Sequence, residues 1–211
     1  MGCRPVSSRL HPFNITKLQK YAPTSDNDED EIEEFYDQLQ NVIDQIPKKD
    51  ILVAQRGWNA KVGKDACGNW QGICGPFCND DTNERGLRLL EFATFNDLVL
   101  ANTFGHHKAS RRWTWHSPNG QHHNQIGYTL VRKRLRSGVN SARTWSFPGV
   151  DIESDHDLPM MTFHLRLKSS GSQNTQDSSL TSKSWKIPMC WNLPSYDRRE
   201  VCTSDPHEHW R

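Results

Sequence analysis

Seven apolar residues, Ile32, Phe35, Tyr36, Leu39, Val42, Ile43 and Ile46, recur at i, i+3, i+4, i+7, i+10, i+11 and i+14. Only a helix gathers that spacing into one stripe, and a stripe of that width has to be buried. Glu29, Asp30, Glu31, Glu33 and Glu34 crowd its first turns, where the positive end of the helix dipole favours acids. Pro47 stops it, since proline lacks the N–H that the next helical bond requires. After two lysines, residues 50–54 read as a short buried strand. A long amphipathic helix returned so tightly onto a buried strand predicts a sheet layered with helices.

The pattern continues downstream. Residues 13–21 read as an extended segment that ends at Pro23 and a run of Asp and Asn. Residues 55–82 are rich in glycine and read as loop. Asn83 is placed to cap a second helix over 84–95, with Leu87, Leu90 and Phe95 as its core-facing candidates. Residues 98–101, 113–115, 125–131 and 160–167 read as further strands. From 169 the chain turns to Ser, Gln, Asn, Thr and Asp with no periodicity. The expected organisation is an N-terminal extension over 1–12, one domain over 13–168, and a disordered or appended tail over 169–211.

Composition narrows the function classes. The chain of 211 residues carries 26 Lys and Arg against 25 Asp and Glu, a net charge of +1. No global field draws it to nucleic acid or to an anionic membrane, so any DNA contact has to come from a local basic patch. No apolar run approaches the ~20 residues of a membrane span. The first residues lack the apolar stretch of a signal peptide. The expectation is an intracellular chain, in nucleus or cytoplasm, with its six cysteines reduced. Cys67, Cys74 and Cys78 do not repeat a zinc-knuckle spacing, and the pairs His106–His107 and His122–His123 lack the i, i+4 spacing of a helical metal site. All of these read as loop residues.

Two segments point to phosphate chemistry. Gly57-Trp58-Asn59-Ala60 follows the strand at 51–54, and Ser154-Asp155-His156-Asp157 precedes the strand at 160–167. Metal-assisted phosphodiester hydrolysis needs hard oxygen ligands, a group that orients or deprotonates water, and a donor on the phosphate. An Asp-His pair at a strand entry and an Asn at a strand exit can supply parts of that set.

Tyr21-Ala22-Pro23, Trp58-Asn59-Ala60, Trp113-Thr114-Trp115, Gln125-Ile126-Gly127-Tyr128 and Ser154-Asp155-His156 occur in this order. In that arrangement, over about residues 9–168, the sequence resembles the endonuclease/exonuclease/phosphatase superfamily. It looks most like the endonuclease region of RTE/BovB-type LINE retrotransposons. The resemblance implies an α/β (α+β) fold, part of a four-layered α/β sandwich with two sheets face to face and helices outside. It implies a Mg²⁺-dependent phosphodiesterase that nicks DNA. It assigns Tyr21, Asn59 and His156 to catalysis, and Asn59 and Asp155 to the metal.

The sequence departs from that pattern in three places. Where the family reads Gly-Asp-Trp-Asn, this chain has Arg56-Gly57-Trp58-Asn59, so the water-orienting aspartate is Gly57. Where the family reads Ile-Asp-Tyr, it has Ile126-Gly127-Tyr128, so the carboxylate that holds the catalytic histidine is Gly127. The family's metal-binding glutamate lies in a half that precedes the Tyr-Ala-Pro strand, and Tyr21 has twenty residues before it. The expectation is a truncated, catalytically impaired domain, with Mg²⁺ its cofactor by resemblance only and no small-molecule cofactor. Its expected partners are DNA and a protein that covers an exposed sheet, with no membrane. Arg111, Arg112, Trp113, Trp115 and Arg132 are the candidate DNA contacts, because basic side chains beside aromatics suit phosphate contact with base stacking. The alternative is a non-catalytic DNA- or protein-binding module that uses this basic, Trp-rich surface.

Overall fold

The computed structural model describes residues 4–10, 13–19, 22–23, 28–78, 81–145, 156–168 and 180–188. In chain order these form β1 (Arg4–Leu10), β2 (Phe13–Gln19), α1 (Glu29–Asp44), β3 (Ile51–Gly57), α2 (Glu84–Phe95), β4 (Leu98–Leu100), β5 (Trp115–His116), β6 (His123–Asn124), β7 (Gly127–Arg132), β8 (Val139–Trp145), β9 (Leu158–Lys168) and β10 (Leu180–Pro188). One sheet runs β1-β2-β3-β7-β4, a second runs β10-β9-β8, and β5 and β6 form a small hairpin.

Strand alternation builds the layers. On β3, Leu52 and Ala54 join a cluster with Phe35, Tyr36, Leu39 and Ile43 of α1 and with Leu89, Leu90 and Phe92 of α2. Ile51 and Val53 point the other way, into a cluster with Ala142 of β8 and Met161 and Phe163 of β9. One residue of offset therefore separates the helical face from the sheet-on-sheet face. Helices, five-stranded sheet and three-stranded sheet stack as three layers among the described residues.

The two helices begin with side-chain caps. Asp28 accepts from Glu31 N at 2.9 Å, and Asn83 accepts from Gly86 N at 2.8 Å. Of the α1 stripe, Phe35, Tyr36, Leu39, Ile43 and Ile46 are buried, and Ile32 and Val42 are partly buried against them. On α2 the buried face is Gly86, Leu89, Leu90, Phe92 and Ala93. Leu87 and Phe95 are exposed, at 44% and 79%, which corrects their assignment to the core. They sit off the 86–89–90–93 row, and the helix period decides the face before hydrophobicity does.

Two strands lie in the segments that flank the expected domain. β1 lies within the segment read as an N-terminal extension and pairs with β2 from Arg4↔Gln19 to Leu10↔Phe13. β10 lies within the segment read as a tail and pairs with β9 from Leu180↔Lys168 to Pro188↔Met160. An antiparallel partner is recruited through backbone N–H and C=O groups, so a polar sequence can add a strand.

The basic run after β7 works inside the fold. Arg132 Nη2 donates to the Ile46 carbonyl at 3.3 Å, and Arg134 Nη2 donates to the Lys49 carbonyl at 2.7 Å. Both guanidinium groups thus hold the turn between α1 and β3, where carbonyls lack helical partners.

Candidate active site

The loop that leaves β3 is fixed from several sides. Trp58 is buried; its backbone N–H donates to the Ile126 carbonyl at 2.8 Å and its indole N–H to the Tyr128 carbonyl at 3.0 Å. The Tyr128 hydroxyl accepts from Val62 N and donates to the Gln125 carbonyl, both at 2.9 Å. Asn83 at the start of α2 accepts from Lys61 N at 3.0 Å, and its own N–H donates to the Lys61 carbonyl at 3.1 Å. Gly86 allows this docking, because a Cβ there would lie 1.8 Å from the Lys61 carbonyl oxygen.

Asn59 sits in this loop with φ of 48°, in the left-handed region that asparagine enters more readily than most residues. Its Nδ2 donates to the carbonyls of Ala22 at 2.9 Å and Pro23 at 3.2 Å. Arg85 Nη1 donates to the same Pro23 carbonyl at 3.3 Å, and Ala22 N donates to the Gly57 carbonyl at 3.1 Å. Asn59 therefore clamps the backbone that follows Tyr21. Both amide hydrogens are committed to the chain, so the group it can present to a ligand is its oxygen.

Gly57 and Gly127 face one another. They are the last pair in the antiparallel β3–β7 register, and both are buried. The two positions that the family pattern fills with aspartates are thus cross-strand neighbours, at the sheet end from which Asn59 departs.

The Gly127 end is held by side chains. Thr114 Oγ1 accepts from Ile126 N at 2.9 Å and from Gly127 N at 2.8 Å. Asn102 Nδ2 donates to the Gly127 carbonyl at 3.1 Å. The Thr114 carbonyl accepts from Asp157 N at 3.1 Å, and Trp115 and His156 form an antiparallel bridge. Thr114 therefore joins Gly127 to the segment that carries His156. Tyr21 and Asp155 lie outside the described residues, so of the expected catalytic and metal set the structure places Asn59 and His156. The oxygen donors that the described residues place at this end do not fit a Mg²⁺ ion, which is usually held through one or two carboxylates plus substrate phosphate. Gly57 and Gly127 supply none. Among the described residues, no three His, Cys, Asp or Glu side chains form a group able to hold a metal.

The candidate DNA contacts divide. Arg111 is exposed on a short 3-10 turn, Ala109–Arg111. Arg112 is half-buried and donates to the His107 carbonyl at 2.9 Å. Trp113 stacks on His123, with ring centroids 4.3 Å apart and planes at 19°. Trp115 is half-buried in β5. Arg132 is half-buried on the Ile46 carbonyl; burial first, then the Arg134 charge, hold its pKa below the ordinary arginine value.

One constellation escaped the reading by motif. His116 Nε2 lies 2.6 Å from Asp157 Oδ2, and His116 Nδ1 lies 2.6 Å from His123 Nδ1. His116 and His123 are directly paired in the β5–β6 hairpin, so His123 is a strand residue and the loop assignment is corrected. The sequence signal was the Ser117-Pro118-Asn119-Gly120 turn, which predicts a hairpin and brings flanking residues opposite one another. Cys74 and Cys78, also read as loop residues, are buried thiols against the carbonyls of Trp70 and Gly75. No helix is long and apolar enough to cross a membrane among the described residues.

No family model matches the chain. It is 44% identical over 175 residues to craniofacial development protein 2 of Bos taurus, a match that covers 80% of this chain and 29% of the relative. It is 42% identical over 175 residues to craniofacial development protein 2 of Tragulus javanicus, covering 80% of this chain and 30% of that protein. The chain thus spans less than a third of the length of these relatives. Among solved structures it is similar to the endonuclease domain of TRAS1, a telomere-specific non-LTR retrotransposon, with TM-score 0.51 and 16% identity over 74% of this chain and 60% of that one. It is equally similar, with TM-score 0.51 and 15% identity over 74% of this chain and 62% of the other, to the 3′ phosphatase NExo from Neisseria bound to product DNA hairpin. The chain is a homologue of craniofacial development protein 2 and carries the endonuclease/exonuclease/phosphatase fold.

Proposed function

We propose that this chain is a nuclease-fold module whose phosphodiesterase chemistry is silent. The pairing of Gly57 with Gly127 carries the reading. Hydrolysis of a phosphodiester needs a water oriented or deprotonated by a base, and a donor that stabilises the phosphate. His156 can serve as the donor. Neither glycine can orient water or hold the tautomer of His156. Removing the acid behind a hydrolytic histidine lowers turnover ~10⁴-fold. Losing the water-orienting group as well adds less than a second full factor, because such groups act as a unit.

A supercoiled-plasmid nicking assay with Mg²⁺ or Mn²⁺ tests this. We expect the chain to nick no faster than its His156→Ala variant. Nicking that His156→Ala abolishes would overturn the proposal.

A second reading has its own observation. Lys108 and Arg111 are exposed beside Trp113, which suits DNA binding without cleavage. Arg112 and Arg132 contribute less to such a surface, since each is spent on a backbone carbonyl. Phosphate contacts predict an affinity that falls linearly in log–log form with salt, and Arg111→Ala should reduce that slope. A flat salt dependence rejects DNA binding through this face.

A further inference from the structure

We infer that the paired imidazoles of His116 and His123 form a site for a borderline transition-metal ion of the Zn²⁺, Ni²⁺ or Cu²⁺ class, oriented by Asp157. The inference stands apart from the phosphodiesterase reading. Neither histidine belongs to the family motifs, and alternation places His116 and Asp157 on the face opposite the Trp115–His156 bridge.

The tautomers follow from the contacts. A carboxylate only accepts, so Asp157 takes the Nε2 hydrogen of His116 at 2.6 Å. In the neutral ring the Nδ1 of His116 carries a lone pair, and it lies 2.6 Å from His123 Nδ1. Two ring nitrogens at that separation hold one proton between them. A metal ion can replace that proton, and both nitrogens are the kind of ligand that imidazole-binding ions select. With Zn–N bonds of ~2.0–2.1 Å at a tetrahedral angle, the two nitrogens would stand about 3.3 Å apart. The nitrogens have to part by about 0.7 Å from their present contact, and the rings have to tilt so that both lone pairs meet at the ion.

The surroundings are those of a ligand pair held in place. A carboxylate on the far nitrogen of a metal-binding histidine fixes its ring and tautomer, and Asp157 occupies that position. Trp113 stacks on His123 at 4.3 Å and meets His116 edge-on at 6.4 Å, which orients both rings. The His116 side chain is 32% exposed, so water can fill the remaining coordination positions. Two imidazoles completed by water differ from a cluster of three or more protein donors, none of which occurs among the described residues. Mg²⁺ is excluded by ligand type, since it takes oxygen.

The test uses the full chain in excess Mg²⁺. Calorimetric titration with Zn²⁺ should show one equivalent that disappears in His123→Asn, while Asp157→Asn weakens that same equivalent 10–100-fold. The chain has eight other histidines and six cysteines, so the readout is the difference between variants rather than total uptake. Unchanged stoichiometry in a folded His123→Asn overturns the inference, as does an Asp157→Asn affinity within twofold of the parent. Electron paramagnetic resonance of the unmutated chain at one equivalent of Cu²⁺ needs no variant. Coupling to two imidazole nitrogens is expected, and a spectrum of oxygen or sulfur ligands refutes the site.

Discussion

Tyr128→Phe tests the loop that carries Asn59. The phenol is fully buried, and its ring packs between β3 and the helices. Phenylalanine keeps that packing and removes one oxygen. What is lost is the acceptor for Val62 N and the donor to the Gln125 carbonyl, both at 2.9 Å, with both partner residues buried at 0%. A buried group left without its partner costs ~1–3 kcal/mol. Orphaned carbonyls are tolerated better than orphaned N–H groups, so Val62 N carries most of the loss. About 2 kcal/mol is the expected destabilisation, and at ~2–4 °C per kcal/mol for a chain of this size the melting temperature should fall by ~4–8 °C. Urea unfolding and a thermal melt by circular dichroism measure both, with the urea m value unchanged. A melting temperature within ~1 °C of the parent would refute the argument that this hydroxyl, rather than ring packing, ties 58–63 to β7.

Further outcomes follow from single contacts. Asp97 follows the α2 cap with φ of 51°, so Asp97→Gly should stabilise the chain by ~1 kcal/mol in urea unfolding. Glu33 accepts twice from Arg88 at 2.7 Å, and that hydrogen bond holds its pKa below the ordinary carboxylate value. Both side chains are substantially exposed, so Glu33→Gln should cost at most ~1 kcal/mol at neutral pH. A lowered carboxylate pKa adds stability above its unfolded value and loses it as pH falls through the folded one, so parent and variant should converge in acid. Burial, then the charges of Arg143, Arg112 and His106, lower the pKa of His107. The unfolded chain then binds that proton more readily, so the parent should lose stability as pH drops below ~6.5, and His107→Gln should flatten this loss in urea titrations.

The sequence disclosed what is local. The α1 stripe, the Asn83 cap and the apolar run of β3 each name their structure within a dozen residues, because helix period and capping are short-range physics. It disclosed less where the choice of buried face or of strand partner decides. Leu87 and Phe95 are apolar yet off the buried row of α2. β1 and β10 have polar sequences and gain their state from β2 and β9. The site divides in the same way. Asn59 is legible as the residue beyond a strand, but its left-handed backbone and its grip on Ala22 and Pro23 depend on a segment 36–37 residues away. The two glycines are legible as departures from a motif. Their apposition depends on strands whose residues Trp58 and Tyr128 are 70 positions apart, and no local pattern sets that register.

That apposition separates two kinds of side chain at this end of the sheet. Trp58, Tyr128, Thr114, Asn102 and Asn59 all spend hydrogen-bonding groups on the backbone of the loop, of β7 or of the Ala22–Pro23 segment. Each is a part of the scaffold in its own right, and replacing any of them leaves buried backbone groups unsatisfied. A carboxylate at 57 or 127 would have no such duty in the contacts seen here, since the Gly127 N–H and carbonyl are already met by Thr114 and Asn102. Folding stability therefore resists change at the first set, whereas carboxylates at the buried, paired positions 57 and 127 would cost stability rather than supply it. The proposed loss of phosphodiesterase chemistry predicts this division, in which the hydrogen-bonded frame is kept and positions 57 and 127 carry no acid.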